Sequence, residues 1–300
     1  MTEVNDKSKN PKPASTVILT RQHDEEFQIY LLMRSGRSRF MPGNYVFPGG
    51  MVESEDEGTE TWKAHVDMGL DDIARRLGGS MAVEETLSYS VAAIRETFEE
   101  AGVLLANRNE QSRVALERVC DRRMTNELPK GWLRELVAFE GCILAFSRLA
   151  RWSHWITPKL MPRRYDTRFF IAFMPPDQEC IPDKQETTKG IWISPEKGLV
   201  GNSKGEIPLS PPTMVTLHEL LQYSRLEELE KEAETRSWGE PLFPRLIPLS
   251  QGVLILEPWD PMINQKVEID PEGLEEAILP VGKPFSRIWN YNGIWRPVGI

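Results

Sequence analysis

The chain has 300 residues, 40% of them hydrophobic and 27% charged, a length that can bury roughly three-quarters of the unfolded surface and a composition that excludes a disordered or fibrous polymer. Thirty-six basic against 45 acidic residues leave a net charge of −9. That balance opposes nonspecific nucleic-acid binding, and an anionic substrate would need a bound cation or a local arginine cluster. No apolar run approaches the roughly 18 residues of a membrane span, and the polar start MTEVNDKSKNPKPAS has no signal-peptide core. Cys120, Cys142 and Cys180 stand in no metal or redox spacing, so a cytoplasmic protein with inert thiols is expected, with no membrane partner.

Residues 1–14 read as a disordered leader. STVILT (15–20) and FQIYLLMRS (27–35) predict a hairpin, with a turn at 23–26. MPGNYVFPGG (41–50) holds two prolines and three glycines, which excludes a helix and marks a shaped loop around a short strand. Residues 51–61 are acidic and loop-like. A short helix is expected at 67–79, ended by its double glycine, and a longer one at 83–100, stopped by Gly102. The stretch 110–150 looks mainly helical, with strands at 151–156, 168–174 and 189–194. Pro211-Pro212-Thr213 opens one charged helix through about Arg236. The last sixty residues turn proline-rich, and VLILEP, QKVEID and RIWNYNGIWRPV read as strands.

On a helical wheel Leu87, Val91, Ile94, Phe98 and Ala101 form one apolar stripe, and Glu96, Glu99 and Glu100 lie opposite it. A solvated face is the plain interpretation. Against it, like charges at i,i+4 repel, and the last turns of a helix disfavour anions. A hard divalent cation would offset both effects, since Mg²⁺ is held by one or two carboxylates plus substrate phosphates.

Phe47-Pro48-Gly49-Gly50, Asp56 and Arg95-Glu96-Thr97-Phe98-Glu99-Glu100-Ala101-Gly102-Val103 together resemble the Nudix box, G-x5-E-x7-R-E-U-x-E-E-x-G-U. Asp replaces the first Glu, Thr97 replaces a bulky aliphatic, and 38 residues separate Asp56 from Arg95 where the family has seven, an insertion of 31 within 57–94. The long insertion, with WITP, PRRYDTRFFIA and DKQETTKGIWISPEKGL downstream, is similar to the Nudix branch containing the peroxisomal coenzyme A diphosphatase of mammals. The likeness covers about 15–220.

The resemblance implies an α/β fold, the Nudix α/β/α sandwich with a mixed sheet. To it would be added a helical insertion in the box and a strand-rich C-terminal extension (237–300), the Nudix domain itself running 15–236. It implies hydrolysis of a diphosphate by metal-activated water, with Mg²⁺ or Mn²⁺ as cofactor. Glu99 and Glu100 would be the main metal ligands, Glu96 a further ligand or a help in deprotonating water, and the Gly49 carbonyl would complete the site. Arg95 would pair with a neighbouring box carboxylate; the role of Asp56 stays open across so long a gap. Glu186, in the loop before the 189–194 strand, is either a further ligand or base or an ordinary loop acid. Arg34, Arg37, Arg39 and Arg168 are candidates to bind substrate phosphates, because guanidinium forks match phosphate oxygens; solvated loop arginines are the alternative. His65, His154 and His218 read as structural.

The partner implied is a small nucleotide diphosphate, coenzyme A or an acyl-CoA, cleaved to 3′,5′-ADP and (acyl-)4′-phosphopantetheine. A dinucleotide or nucleotide sugar would suit the same chemistry. A catalytically silent ligand-sensing module is a third class, disfavoured by the crowded carboxylates. The insertion is expected to project over the site. The terminal Pro297-Val298-Gly299-Ile300 is not a peroxisomal address of the S-K-L type. A homodimer is compatible with this reading, and no residue pattern assigns one.

Overall fold

The computed structural model describes residues 10–38, 41–107, 109–184 and 186–299. Strands β1 (Lys12–His23) and β2 (Glu26–Arg34) form the expected hairpin, with Asp24 in the left-handed region at φ 51°. β1 begins at Lys12, inside the stretch assigned to the leader, because residues 12–14 pair with the start of a later strand. Two short strands follow, β3 (Tyr45–Val46) and β4 (Gly49–Met51). After a 3₁₀ turn at Ser54–Asp56, the insertion contributes the short helices α1 (Thr59–Trp62) and α2 (Leu70–Ile73) and a π turn at Ala74–Gly78.

Helix α3 (Val83–Ala101) carries the three glutamates. Glu84 and Glu85 in its first turn suit the dipole. Gly102, at φ 76°, returns its N–H to the Phe98 carbonyl at 2.8 Å and ends the helix. The region 110–150 is helical only in part: α4 (Glu110–Met124) and α5 (Trp132–Glu140) are flanked by a small pair, β5 (Ala106–Asn107) with β6 (Ile143–Leu144). Strands β7 (Leu149–Ile156), β8 (Tyr165–Phe173) and β9 (Thr187–Ile193) complete the main sheet.

The main sheet is mixed. Its path runs β3-β2-β1-β8-β7, β4 adds to β1 and β9 to β2, and only the β1–β8 pairing is parallel. Period-two alternation sends Val17, Leu19 and Phe170 to one face, against Leu87, Val91, Ile94 and Phe98 of α3. Ile18, Ile29 and Ile171 go to the other face. There they meet α6 (Pro195–Ser203), α7 (Pro211–Leu220) and α8 (Leu226–Thr235) through Leu199, Leu217 and Leu229. This is the α/β/α sandwich expected.

The single helix expected at 211–236 is two. Ser210 caps α7 through the Thr213 amide, with Pro211 at the first helical position. The chain then turns, and Glu228 accepts from the Ser224 amide at 2.8 Å and the Arg225 amide at 3.3 Å. That glutamate cap starts a new helix where propensity alone would continue the old one.

In the C-terminal region β10 (Arg245–Pro248), β11 (Val253–Leu256), β12 (Arg287–Tyr291) and β13 (Ile294–Val298) form an antiparallel sheet. QKVEID is not a strand: β10 and β12 already occupy both edges of β11, so 265–270 lies in the long connection between β11 and β12. β10, unexpected from the sequence, takes the place it was given. No helix among the described residues is long and apolar enough to cross a membrane.

Candidate active site

The glutamates opposite the apolar stripe do not face open solvent. Glu100 is 5% exposed, and Glu96 and Glu99 are only partly exposed. They line one wall of a cavity of about 1080 Å³, at the upper end of the roughly 300–1,000 Å³ of ligand cavities.

Arg95 organises this wall with all five of its N–H donors. Nε and Nη2 donate to Asp56 Oδ1 and Oδ2 at 2.8 and 2.9 Å, and Nη2 also donates to the Met51 carbonyl at 2.9 Å. Nη1 donates to Glu96 Oε1 and Glu99 Oε2, both at 2.9 Å. Burial works against the guanidinium charge, but Asp56, Glu96 and Glu99 hold its pKa above the ordinary value. Asp56, 1% exposed, is therefore the partner of Arg95, and the long gap in sequence closes in space.

The glycines before the box bring backbone close to the carboxylates. The Gly49 amide donates to Glu100 Oε2 at 2.8 Å. A Cβ at Gly49 would collide with the Ser15 carbonyl, and one at Gly50 with the Glu96 carboxylate. Glu99 receives a second donor, since the Trp132 indole Nε1–H reaches its Oε1 at 2.7 Å while the ring packs on Phe98 with centroids 4.7 Å apart.

Burial is the main force on the protonation of all three. It pushes Glu96 up to about 8, partly offset by Arg95. It raises Glu99, again against Arg95. It raises Glu100 well above the carboxylate range, with the Glu96 charge adding to the effect and the Gly49 amide opposing it. Crowded, buried carboxylates with raised pKa values are an oxygen-donor set that a divalent cation would stabilise. Among the described residues no three acidic, imidazole or thiol side chains form a preformed metal cage; Arg95 Nη1 bridges Glu96 and Glu99. The set fits an ion held by one or two carboxylates and finished by substrate oxygens.

The structure brings Glu186 to this cavity, close enough for its charge to raise the Glu100 pKa. Arg34, at the end of β2, lines it too. Arg37 is exposed and lies outside the lining, and Arg39 falls outside the described residues. Arg168 requires a correction. Thr167 and Phe169 face the cavity, so alternation turns Arg168 to the opposite face of β8, where its guanidinium lies 5.9 Å from the Tyr89 ring and 5.3 Å from that of Trp238. Arg123, Lys130 and Arg163 line the cavity instead. Arg123 donates its Nε–H to the Glu99 carbonyl at 2.8 Å. Arg163 was visible in the PRRYD cluster, whereas Arg123, Lys130 and Trp132 sit in a stretch with no motif. His154 pairs with Asp166 at 2.6 Å, a partly buried contact outside the cavity lining.

The insertion also departs from expectation. No residue of 57–94 lines the cavity. Trp62, Ile73 and Leu77 are fully buried in the core that packs on α3. Their apolar surface commits the segment to the core and away from the cavity mouth.

Residues 6–220 match the family model described as the NUDT19 Nudix domain. The chain is 29% identical to "Acyl-coenzyme A diphosphatase NUDT19" of Gallus gallus, covering 88% of this chain and 82% of that one. It is 28% identical to the protein of that name in Homo sapiens, covering 89% and 82%. Among solved structures, a Nudix hydrolase from Alicyclobacillus acidocaldarius superposes with a TM-score of 0.54 at 24% identity, over 77% of this chain and 98% of that one, and shares the fold.

Proposed function

The chain belongs to the NUDT19 Nudix family and is a Nudix-type diphosphatase, and on that premise we propose that it cleaves coenzyme A or an acyl-CoA to 3′,5′-ADP and (acyl-)4′-phosphopantetheine. The observation that carries the reading is the buried wall of Glu96 and Glu99, held by Arg95 and through it by Asp56, and Glu100, held by the Gly49 amide, in a cavity large enough for a nucleotide and a long arm. The names of the two vertebrate relatives supply the substrate class.

Phosphoryl transfer asks a protein mainly for positioning and charge neutralisation. Bound Mg²⁺ or Mn²⁺ would supply Lewis-acid charge and lower the pKa of water. Glu99 and Glu100 would hold it, with Glu96 as a further ligand and Gly49 beside Glu100. Glu99, tied by Arg95 and Trp132, is the most rigidly oriented of the three. Water oxygen adds to one phosphorus, the bridging P–O bond breaks, and the departing phosphate takes the electron pair. Glu96, where it is ionised, can take up the water proton from the same wall of the cavity. Glu186 is a second acceptor on the same cavity. Arg34, Lys130 and Arg163 stand where they can meet phosphate oxygens. A cytoplasmic site of action is part of the same proposal.

The test is a panel of CoA, acyl-CoA, dinucleotides and nucleotide sugars with Mg²⁺ or Mn²⁺, products resolved by mass. Release of 3′,5′-ADP from CoA at the highest kcat/KM supports the reading; preference for a dinucleotide or nucleotide sugar overturns the substrate.

A further inference from the structure

The C-terminal sheet completes the cavity that the glutamates open. Leu246 on β10, Val253 and Ile255 on β11, and Trp295 on β13 all line it, beside Trp155 and Phe169 of the main sheet. Register explains why. Leu246 is opposite Ile255, Val253 opposite Asn290, and Asn290 opposite Trp295, so these side chains share one face. The alternate residues Leu254, Leu256 and Trp289 turn to the other face and build a separate small core. The wall is also anchored. Buried Asn202 of α6 donates to the Trp295 carbonyl at 2.8 Å and accepts from the Leu209 amide at 2.9 Å, tying β13 to the main unit.

Among the described residues, none that this extension contributes to the lining is charged. Of those residues, the cations that line the cavity, Arg34, Arg95, Arg123, Lys130 and Arg163, all come from the main unit. A 3′-phosphoadenosine would leave its charge unanswered against the wall. A neutral alkyl chain would bury apolar surface there instead.

Building on the CoA reading above, we propose that the wall of Leu246, Val253, Ile255 and Trp295 receives the acyl chain of an acyl-CoA and makes this chain selective for acyl-CoA over free CoA. The extension would then set specificity, and the glutamate wall would carry the chemistry.

The experiment is a kcat/KM series on the full-length enzyme with CoA and its acetyl, hexanoyl and decanoyl thioesters. One fully buried methylene corresponds to about fourfold, and partial burial across the series should still give at least about tenfold from CoA to decanoyl-CoA. In Leu246→Asp and Val253→Asp the decanoyl-to-CoA ratio should fall toward unity. Val253→Ser, a milder change at a half-buried position, serves if the aspartates impair folding, and the wild-type series needs no variant. A flat wild-type series with CoA still cleaved overturns the acyl wall and leaves the CoA reading standing. A ratio unchanged in folded Leu246→Asp and Val253→Asp also overturns it. Failure to cleave any CoA species, with another diphosphate turned over, overturns the CoA reading and this inference with it.

Discussion

Asp56 and Arg95 meet through two hydrogen bonds, at 2.8 and 2.9 Å, although 38 residues lie between them in sequence. Both are buried, Asp56 at 1% and Arg95 at 7% exposure. The pair closes the inserted segment at its two ends and aims Arg95 Nη1 between Glu96 and Glu99. An aspartate suffices where the family pattern has a glutamate, because the 3₁₀ turn at Ser54–Asp56 delivers its carboxylate directly to the guanidinium.

Removing the Asp56 charge leaves the buried guanidinium balanced by Glu96 and Glu99 alone. Asp56→Asn should therefore lose about 1–3 kcal/mol of unfolding free energy, read from denaturant midpoints. Turnover should fall as well, because Arg95 would no longer be held in place. A midpoint like that of the wild type would show that the other Arg95 contacts are sufficient.

Trp132 contributes to Glu99 from outside the box. Trp132→Phe keeps the aromatic packing on Phe98 but deletes the indole donor. A hydrogen bond to a charged group contributes about 1.5–3 kcal/mol to stability, so the unfolding free energy should fall by up to that amount, and kcat should fall about tenfold as Glu99 loses its orientation. An unchanged kcat would remove Trp132 from the positioning of Glu99.

The apolar stripe of α3, the glycine turn and the box glutamates were legible because each depends on local spacing. The Asp56–Arg95 contact was not, since it depends on how the insertion folds. Arg168 misled for a definite reason: the PRRYDTRFF run places it one residue from cavity-facing Thr167 and Phe169, and one residue on a strand reverses the face. Trp132 and Lys130 carried no signal, because only the fold brings Trp132 of α5 onto Phe98 and Glu99 of α3 and Lys130 to the cavity wall. The insertion likewise looked like a separate lid until Trp62 and Leu77 proved to be core.

That core role has its own consequence. Trp62 is 0% exposed, and truncating a buried tryptophan costs about 3–5 kcal/mol. Trp62→Ala should be strongly destabilised by calorimetry, and replacing 62–80 with a short linker should abolish folding. A folded enzyme with altered KM after that replacement would restore the insertion to a substrate-access role.

Glu257 is fully buried in the C-terminal region, with no hydrogen-bond partner for either carboxyl oxygen among the described residues, and burial pushes its pKa up to about 8. The folded state thus holds a proton that the unfolded state releases above about pH 4.5. This stabilising contribution is full below that pH and is lost as pH rises toward 8, with a slope of at most about 1.4 kcal/mol per unit. Glu257→Gln should remove that dependence and gain stability relative to wild type at pH 8 but not at pH 4. Parallel stability curves for the two proteins would refute a buried neutral carboxyl.

The glutamate wall is tested most directly by steady-state hydrolysis of CoA in wild type and Glu100→Gln, each with saturating Mg²⁺ and after chelation. The expected result is 3′,5′-ADP formation by the wild type that stops on chelation, and a loss of about 10²-fold or more in Glu100→Gln at unchanged fold. Metal-independent hydrolysis, or near-wild-type turnover by folded Glu100→Gln at saturating Mg²⁺, would contradict it.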